Sequence, residues 1–368
     1  MKNGCYLFLN QNYNKEINSS GVSKKIEAQL GVFNTNNFTC TLINMWDYQK
    51  KTKNKLSTLL SFFDKTKFES LKLRSYDYMY IRYHFPIEAG FINLLAKAKE
   101  KNRSVKIIME IPTYPYVKEL ISVKQKIFFL TEKIFIGKLK HYVDRIASFS
   151  KDERIFSIPT IQITNGVDLS KIPIVKKKEK KENEINLIAV AQFGPWHGYD
   201  RLIKGLNLYY KNHQKTKTYL HLIGDGKELD LYKKHIIDNK LEDYIYIHGK
   251  KFGNELTEIF NTADIAISSL GNHRKKLFLS SELKSREYLA RALPIVSSTK
   301  IDIIPEGFPY CHYVPEDESP IDIEALIQFY KNLQNEKNYT KKIRAFAEEH
   351  VGMDKTMQPI FKYIETTL

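Results

Sequence analysis

The chain has 368 residues, a length typical of two domains. With 42% hydrophobic and 27% charged residues it has an ordinary globular composition, so disorder is not the default expectation. The 16 glycines and 12 prolines are too few for a collagen-like or linker-like chain. The net charge is +16, and it is unevenly distributed. Residues 1–170 contain 27 of the 58 basic and 15 of the 42 acidic side chains, a net charge of +12, whereas residues 171–368 have a net charge of +4. This asymmetry predicts a surface that meets an anionic partner, and codon bias toward lysine is the alternative.

The cysteines and the hydropathy indicate where the protein resides. Cys5, Cys40 and Cys311 are odd in number and far apart, which fits neither a disulfide framework nor a zinc site. We find no signal peptide, so a reducing cytoplasm is expected. No apolar run reaches the roughly 18–20 residues that a transmembrane helix needs. The sequence therefore predicts a soluble protein or one bound peripherally at the inner face of the membrane.

Short apolar runs alternate with amphipathic helical patterns along the whole chain. In chain order, strands are predicted at Cys5–Leu9, Cys40–Ile43, Tyr78–Tyr83, Val105–Glu110, Arg145–Phe149, Ile161–Ile163, Ile185–Ala191, Thr218–Ile223, Ile245–His248, Ile265–Ser268 and Pro294–Ser297. Helices are predicted at Ser23–Phe33, Ile87–Lys99, Arg201–Lys211, Leu229–Asn239 and about Leu283–Arg291. The alternation predicts two α/β domains, each with a doubly wound parallel sheet.

A run of charged residues predicts the domain boundary. Ile174–Asn183, "IVKKKEKKEN", has no apolar face, and a new strand–helix series begins directly after it. We expect an N-terminal Rossmann-like domain at 1–173, a linker at 174–184 and a second domain at 185–350. The remaining residues, 351–368, hold a last helix whose place the sequence leaves open.

Three segments of the second half suggest a ligand site, because parallel α/β domains bind ligands at the carboxyl ends of their strands. "HLIGDG" ends a strand at Gly224, a glycine that allows a close backbone approach or simply a turn. "AQFGPWHGYDRLIKGL" places His197 at a helix start, where it can donate to a phosphate oxygen or lie in an ordinary surface loop. "SELKSREYLARALPIV" places Glu287 in the first turns of a helix. That carboxylate can accept both hydroxyls of a ribose, and a solvated surface residue is the alternative.

These segments, in this order, resemble the retaining glycosyltransferases of family 4, which have the GT-B fold. The resemblance is strongest over residues 160–300 and begins with "ITNGVD" at Ile163–Asp168. It continues through "AQFGPWHGYDRLIKGL", "LIGDG", "IHG", "ELTEIFNTADIAISS" and "EYLARALPIVSS". The implied fold is two Rossmann-like doubly wound domains facing a central cleft. "WHGYDRLI" and "LKSREYLA" also resemble a variant of the family associated with cell-surface polysaccharide assembly.

The resemblance implies roles for individual residues. Glu287 would bind the nucleotide ribose, and His84 or Glu110 would face the reacting sugar. His197 would act on the diphosphate as a catalytic group whose cationic form makes turnover fall as the pH rises through about 6.5. The remaining donor-binding positions are Gly21, Gln192, Gly194, Gly224, Gly249, Lys250, Arg274, Leu283 and Lys284.

Several positions depart from the family pattern. Gln192 and His197 stand where the family commonly has Arg and Lys, and Leu279 stands where it has an earlier glutamate. The diphosphate charge would then need other cations, for which the nearby candidates are Arg274, Lys275, Lys276 and Lys284. A nucleotide-sugar-binding subunit with impaired turnover is therefore the alternative to an active enzyme.

The resemblance implies a transfer that retains the anomeric configuration and needs neither a cofactor nor a metal. The expected partners are a nucleotide sugar and a glycan or lipid-diphosphate-linked acceptor. A nucleic-acid partner is not expected, because the chain has no helix-turn-helix, zinc-finger or RNA-recognition signature. The sequence does not identify the donor, the linkage formed or the oligomeric state.

The first half also contains a basic, apolar segment, Val117–Arg145. Lys118, Lys126, Lys133 and Lys140 recur at helical spacing among Ile, Phe and Leu residues. A basic helix with exposed apolar neighbours suits the interface of an anionic membrane, whereas an ordinary core helix with solvated lysines is the alternative.

Overall fold

The computed structural model describes residues 1–13, 21–35, 37–49, 63, 67–84, 86–112, 114, 123–176, 183–212 and 215–366. The chain divides into two compact units. The first consists of Met1–Thr164 together with Thr356–Leu368, and the second of Asn165–Lys355.

The strands and helices follow each other in alternation. The strands are β1 (Lys2–Phe8), β2 (Phe38–Asn44), β3 (Tyr78–Arg82), β4 (Lys106–Ile111), β5 (Arg145–Ser148), β6 (Arg154–Ile155), β7 (Ile158–Gln162), β8 (Glu184–Phe193), β9 (Lys217–Gly226), β10 (Ile245–Gly249), β11 (Ile265–Ile267), β12 (Leu279–Ser280), β13 (Ile295–Ser297), β14 (Lys300–Ile301) and β15 (Cys311–Tyr313). The α-helices are α1 (Gly21–Thr35), α2 (Ala89–Lys101), α3 (Val123–Ile136), α4 (Tyr199–Lys211), α5 (Leu229–Asp238), α6 (Gly253–Phe260), α7 (Leu283–Ala290), α8 (Ile323–Gln334), α9 (Tyr339–His350), α10 (Met353–Thr356) and α11 (Gln358–Glu365). Short 3₁₀ turns include Leu139–His141, Pro195–His197 and Asn272–Lys275.

The first unit is built on a seven-stranded sheet in the order β2-β1-β3-β4-β5-β7-β6. All neighbours are parallel except β6, which pairs antiparallel with β7 at the edge. β4, "KIIMEI", is buried along its whole length, as expected for a parallel strand covered on both faces.

The second unit is built on a six-stranded parallel sheet in the order β10-β9-β8-β11-β13-β15. β12 and β14 form a separate two-stranded parallel sheet. The longest pairing joins β8 and β9 from Glu184↔Lys217 to Phe193↔Gly226. A Cβ on Gly224, whose φ is +138°, would lie 1.8 Å from the Ala191 carbonyl oxygen, so glycine is required there for strand pairing.

The unit boundary lies earlier than residue 173, where the sequence placed it. The backbone N–H of Val167 donates to Val351 O at 2.9 Å, and that of Val175 donates to Arg291 O at 3.1 Å. Non-local backbone bonds therefore tie residues 165–175 to the second unit. Of the expected linker, residues 177–182 lie outside the described part of the chain.

The end of the chain returns to the first unit, a placement that the sequence left open. Phe361 of α11 stacks on Phe38 with ring centroids 5.1 Å apart, and its ring meets Phe33 edge-on at 5.2 Å. The buried Lys106 ammonium donates to the carbonyl oxygens of Tyr363 at 2.8 Å and Ile364 at 3.3 Å. A cation at a helix C-terminus is favourable, because the last carbonyl groups have no intrahelical partners.

Candidate functional site

At the carboxyl edge of the second unit's sheet, two loops pack on each other. Leu270 N–H donates to His197 O at 2.8 Å, and Gly271 N–H donates to Trp196 O at 3.1 Å. Gly198 adopts a φ of +64°, and a Cβ there would lie 2.6 Å from the Gly271 nitrogen. This junction holds the 3₁₀ turn Pro195–His197 in one position at the start of α4.

His197 has a defined tautomer. The buried N–H of Gly194 donates to His197 Nδ1 at 3.0 Å, so Nδ1 needs its lone pair and Nε2 carries the hydrogen. Nε2 has no hydrogen-bond partner in the part of the chain that the structure describes. It is therefore a free donor at the loop.

His197 is neutral at physiological pH, which corrects the expectation of a cationic side chain. Burial lowers its pKa, and the charge of Lys284 lowers it further, to about 3. A fall in turnover as the pH rises through 6.5 is consequently not expected from this residue. Its chemical capacity is that of a neutral Nε2–H donor.

The cation beside this loop is Lys284, at the second position of α7. Its Nζ donates to Ser269 Oγ at 2.9 Å and to Tyr199 OH at 3.3 Å, and its side chain is 13% exposed. Glu282 Oε2 lies 3.4 Å from this Nζ. Burial raises the pKa of Glu282, but Lys284 and hydrogen bonds lower it to about 2, so the carboxylate is ionised.

Helix α7 also carries Leu283 and Glu287. Its N-cap, Glu282, makes no side-chain capping bond, so the N–H groups of Leu283 and Lys284 in the first turn are not capped by that side chain. Glu287 Oε1 accepts from Arg291 Nε at 3.2 Å and Nη2 at 3.0 Å. The Glu287 side chain is 32% exposed, and this half-exposed carboxylate can accept further hydrogen bonds.

Arg274, expected to bind the donor, is already engaged. Its Nη1 and Nη2 each lie 2.9 Å from the Asp200 carboxylate, and its Nε lies 2.8 Å from Glu318 Oε1. Nη1 also donates to Pro195 O at 2.6 Å. The guanidinium thus joins the turn at Pro195 and the start of α4 to Glu318, and this arrangement leaves it little capacity to bind a nucleotide sugar. Lys275 lies over the Trp196 ring, 3.2 Å from its centroid, and the neighbouring lysine at position 276 is exposed.

The other expected donor residues of the second unit are placed individually. Gln192 is exposed near the end of β8. Gly194 uses its N–H for His197, as described above. Gly249 ends β10 with a φ of +66°, and Lys250 is exposed, with its Nζ 3.5 Å from Asp225 Oδ2.

In the first unit, Glu110 is inaccessible, which corrects its assignment as a group facing the reacting sugar. The residue is fully buried, and its oxygens accept from Lys25 Nζ at 2.7 Å, Gln29 Nε2 at 2.7 Å, Tyr80 OH at 2.6 Å and Arg82 Nη1 at 3.0 Å. Burial raises its pKa, but Lys25 and Arg82 lower it to about 2. Glu110 is therefore ionised at neutral pH and is held by partners within the first unit.

His84 lies two residues beyond β3 and is 7% exposed. The rings of Phe63 and Phe91 meet its imidazole edge-on, with centroids 5.5 Å and 4.7 Å away. Within the described ranges of the chain, neither ring nitrogen has a hydrogen-bond partner. Burial lowers its pKa to about 4, so the ring is neutral. An unpartnered buried imidazole has a capacity for a ligand that the protein itself does not satisfy.

Gly21 is exposed as the first residue of α1, whose first turn has no acidic side chain. In the same turn, the buried Ser23 Oγ has no hydrogen-bond partner among the residues that the structure describes. Among the described residues, no group of three or more His, Cys, Asp or Glu side chains is arranged to hold a metal ion.

Comparisons with known proteins identify the fold. Residues 170–306 match the family model described as "Glycosyl transferases group 1". Three solved structures are similar over nearly the whole chain. Anabaena HepE in complex with UDP and glucose has 12% sequence identity and a TM-score of 0.64, with both chains fully covered. A glycosyltransferase from Rickettsia africae ESF-5 has 14% identity and a TM-score of 0.68 (99% of this chain and 98% of that chain), and the lipopolysaccharide outer core galactosyltransferase WaaB has 15% identity and a TM-score of 0.59 (99% of this chain and 100% of that chain). The chain has the GT-B fold. No curated protein sequence matches it.

The GT-B fold expected from the resemblance is thus confirmed. Within its second unit, the structure brings together His197, Lys284 and the first turn of α7. Sequence reasoning missed Glu282, because the family pattern directed attention to Leu279. The signal was present in "SELK", where a glutamate at the helix N-cap stands two residues before a lysine.

Proposed function

We propose that the protein is a retaining glycosyltransferase of family 4 that uses a nucleotide-sugar donor. The observation that carries the proposal is the juxtaposition of the His197 Nε2–H, the Lys284 ammonium and the uncapped first turn of α7. These groups offer a neutral donor, a cation and backbone N–H groups to one anionic ligand. Proteins of the same fold are described in complex with UDP and glucose and with UDP and GlcNAc, and UDP is therefore the first donor nucleotide to test.

Each part of the donor would meet a different element of the second unit. Glu287 would accept the ribose hydroxyls through its half-exposed carboxylate, and Gly249 and Lys250 would flank the base. Leu283 N–H, Lys284 and His197 would bind the diphosphate.

The chemistry proposed is electrostatic stabilisation of a leaving diphosphate, without a metal. The bond between the anomeric carbon and the phosphate oxygen breaks, and the acceptor oxygen bonds to that carbon from the same face. The leaving phosphate takes the acceptor proton. His84, neutral and unpartnered, would donate to a hydroxyl of the sugar without changing charge.

Two measurements test this function. Calorimetric titration of the full chain with UDP, ADP and GDP should show one preferred nucleotide, and Lys284→Met should weaken its binding roughly 10- to 150-fold by removing a charged hydrogen-bond donor. Release of that nucleotide from its sugar ester in the presence of acceptor glycans then tests turnover. Binding without release would favour the impaired subunit that Gln192 and His197 suggest, and no nucleotide binding would refute both functions.

The acceptor is proposed to be a glycan or a lipid-diphosphate-linked sugar in cell-surface polysaccharide synthesis, reached from the cytoplasmic face of the membrane. Helix α3 supports this location. Glu132, buried, accepts from Tyr83 OH at 2.7 Å and Ile87 N at 3.0 Å, which turns one face of α3 inward. On the opposite face, the side chains of Leu130 and Ile134 are each 62% exposed.

Two exposed apolar residues one turn apart, beside the exposed Lys133 and Lys140, suit an anionic bilayer surface. Lys118 lies outside the described residues, and no described helix is long and apolar enough to cross a membrane. Co-sedimentation with phosphatidylglycerol vesicles should decrease in a Leu130→Ser/Ile134→Ser variant and in Lys133→Glu/Lys140→Glu. Leu208→Ser, at an exposed position of the second unit, is the matched control. Equal binding to phosphatidylcholine vesicles would contradict the proposal.

A further inference from the structure

Among the described residues of the first unit, two basic side chains contact one buried carboxylate. Lys25 of α1 and Arg82 of β3 both contact Glu110 of β4, at 2.7 Å and 3.0 Å. The side chains of Lys25 and Glu110 are 4% and 0% exposed, so this pair is closed to solvent. The Lys25 ammonium also lies 4.6 Å from the centroid of the Phe149 ring.

Glu110 has no capacity left for Arg82 beyond the single contact. A carboxylate has about four lone-pair positions. Lys25, Gln29, Tyr80 and Arg82 supply four donors to them. The carboxylate therefore orients one edge of the guanidinium and cannot neutralise it further.

The guanidinium has more N–H groups than partners. It carries five N–H groups, and among the described residues its partners are Glu110 and the Tyr6 hydroxyl. The Arg82 side chain is 14% exposed, so part of it reaches the surface. A mostly buried guanidinium with unused donors matches a planar or tetrahedral oxyanion, to which it can donate two parallel hydrogen bonds.

The place of Arg82 in the fold favours a ligand over a purely structural role. It is the last residue of β3, at the carboxyl edge where open α/β sheets bind ligands. His84, whose ring nitrogens have no partner in the described part of the chain, follows two residues later.

We propose that Arg82 binds an anionic group, a phosphate or a carboxylate, and that Lys25 and Glu110 are positioning residues that hold its guanidinium in place. Describing the anion as part of the acceptor rests on the proposed function, and the anion site itself does not. The first unit would then select acceptors that carry negative charge.

The test is calorimetric titration of the full chain in a Lys284→Met background, which removes the buried ammonium of the second unit. Three probes are used: sodium pyrophosphate, sodium glucuronate and neutral glucose. We expect one of the anions to bind and glucose not to bind. Arg82→Gln should weaken anion binding roughly 10- to 150-fold, as expected for loss of a charge-assisted hydrogen-bond donor. Arg82→Lys keeps the charge but loses the forked guanidinium geometry, so its anion affinity should lie between those of the parent and Arg82→Gln.

The controls separate this site from its alternatives. Arg103→Gln removes an exposed guanidinium from the same unit and should leave the affinity unchanged. Arg82→Gln leaves Glu110 paired with Lys25, so the fold should persist, which circular dichroism checks. A preference for pyrophosphate would identify a phosphate-bearing ligand, and a preference for glucuronate would identify an acidic sugar. Equal affinity in Arg82→Gln and the parent, or no anion binding in the parent, would overturn the proposal. UDP titration of the unmodified chain tests the proposed function independently.

Discussion

We predict that the two nitrogens of His197 have separate tasks, and two substitutions should separate them. Nδ1 accepts the buried N–H of Gly194, whereas Nε2–H is available for a phosphate oxygen. In His197→Asn, the amide oxygen can take the place of Nδ1, and the distal donor is lost. In His197→Gln, the amide nitrogen can reach the place of Nε2, and the acceptor for Gly194 is lost.

The expected magnitudes differ between turnover and stability. A hydrogen bond to a charged phosphate contributes about 1.5–3 kcal/mol, so His197→Asn should lower kcat/KM roughly 10- to 150-fold with little change in stability. Leaving the buried Gly194 N–H unpaired costs about 1–3 kcal/mol, so His197→Gln should lower the free energy of unfolding by that amount and retain more activity.

The assay is steady-state nucleotide release between pH 5 and 8, together with urea unfolding of both variants. Because the pKa of His197 is lowered to about 3, its charge does not change in this range and it should contribute no pH dependence. The reasoning would be refuted by a parent enzyme whose kcat/KM, which reports the pKa values of the free enzyme, falls as the pH rises through 6–7 if that fall vanished in His197→Asn. Identical losses of activity and stability in both variants would also contradict separate tasks.

Three further predictions concern other residues. Glu287→Gln should weaken nucleotide binding roughly 10- to 150-fold in calorimetry, while Glu306→Gln, exposed in the same unit, should not; unchanged affinity would remove Glu287 from the site. His84→Leu should raise the free energy of unfolding at pH 7 by about 1–3 kcal/mol, because it removes unpaired buried nitrogens, and should lower activity. The pKa of His84 is about 4 in the folded state and 6.5 in the unfolded chain, so the unfolded state binds the proton first as the pH falls. The free energy of unfolding of the parent should therefore decrease between pH 6.5 and pH 4. In His84→Leu this decrease should be smaller. Lys106→Met should release α11, seen as faster proteolysis of the C-terminus and a loss of about 1.5–3 kcal/mol, and a protease-resistant variant would count against the contact.

Local sequence pattern was sufficient for most of the strands and helices. The apolar run at Ile185–Ala191 predicted the core of β8, and the amphipathic pattern at Arg201–Lys211 predicted α4, because both signals come from residues adjacent in the chain. β15, α8 and α9 were not predicted, and the short β12 and β14 were missed as well. Two-residue strands have too few residues to show a period, and they exist only because a partner strand lies beside them.

The roles of the charged residues depended on tertiary structure. The sequence alone determined that Glu110, Arg274 and Lys284 are charged residues near strand or helix ends. It did not determine their partners, since Lys25 and Glu110 are 85 residues apart in the chain and Asp200 and Arg274 are 74 apart. Packing saturated Glu110 and Arg274 with protein partners and left Lys284 beside His197. Whether a charged group serves the fold or a ligand depends on how many of its hydrogen bonds the protein already satisfies, and only the assembled structure decides that.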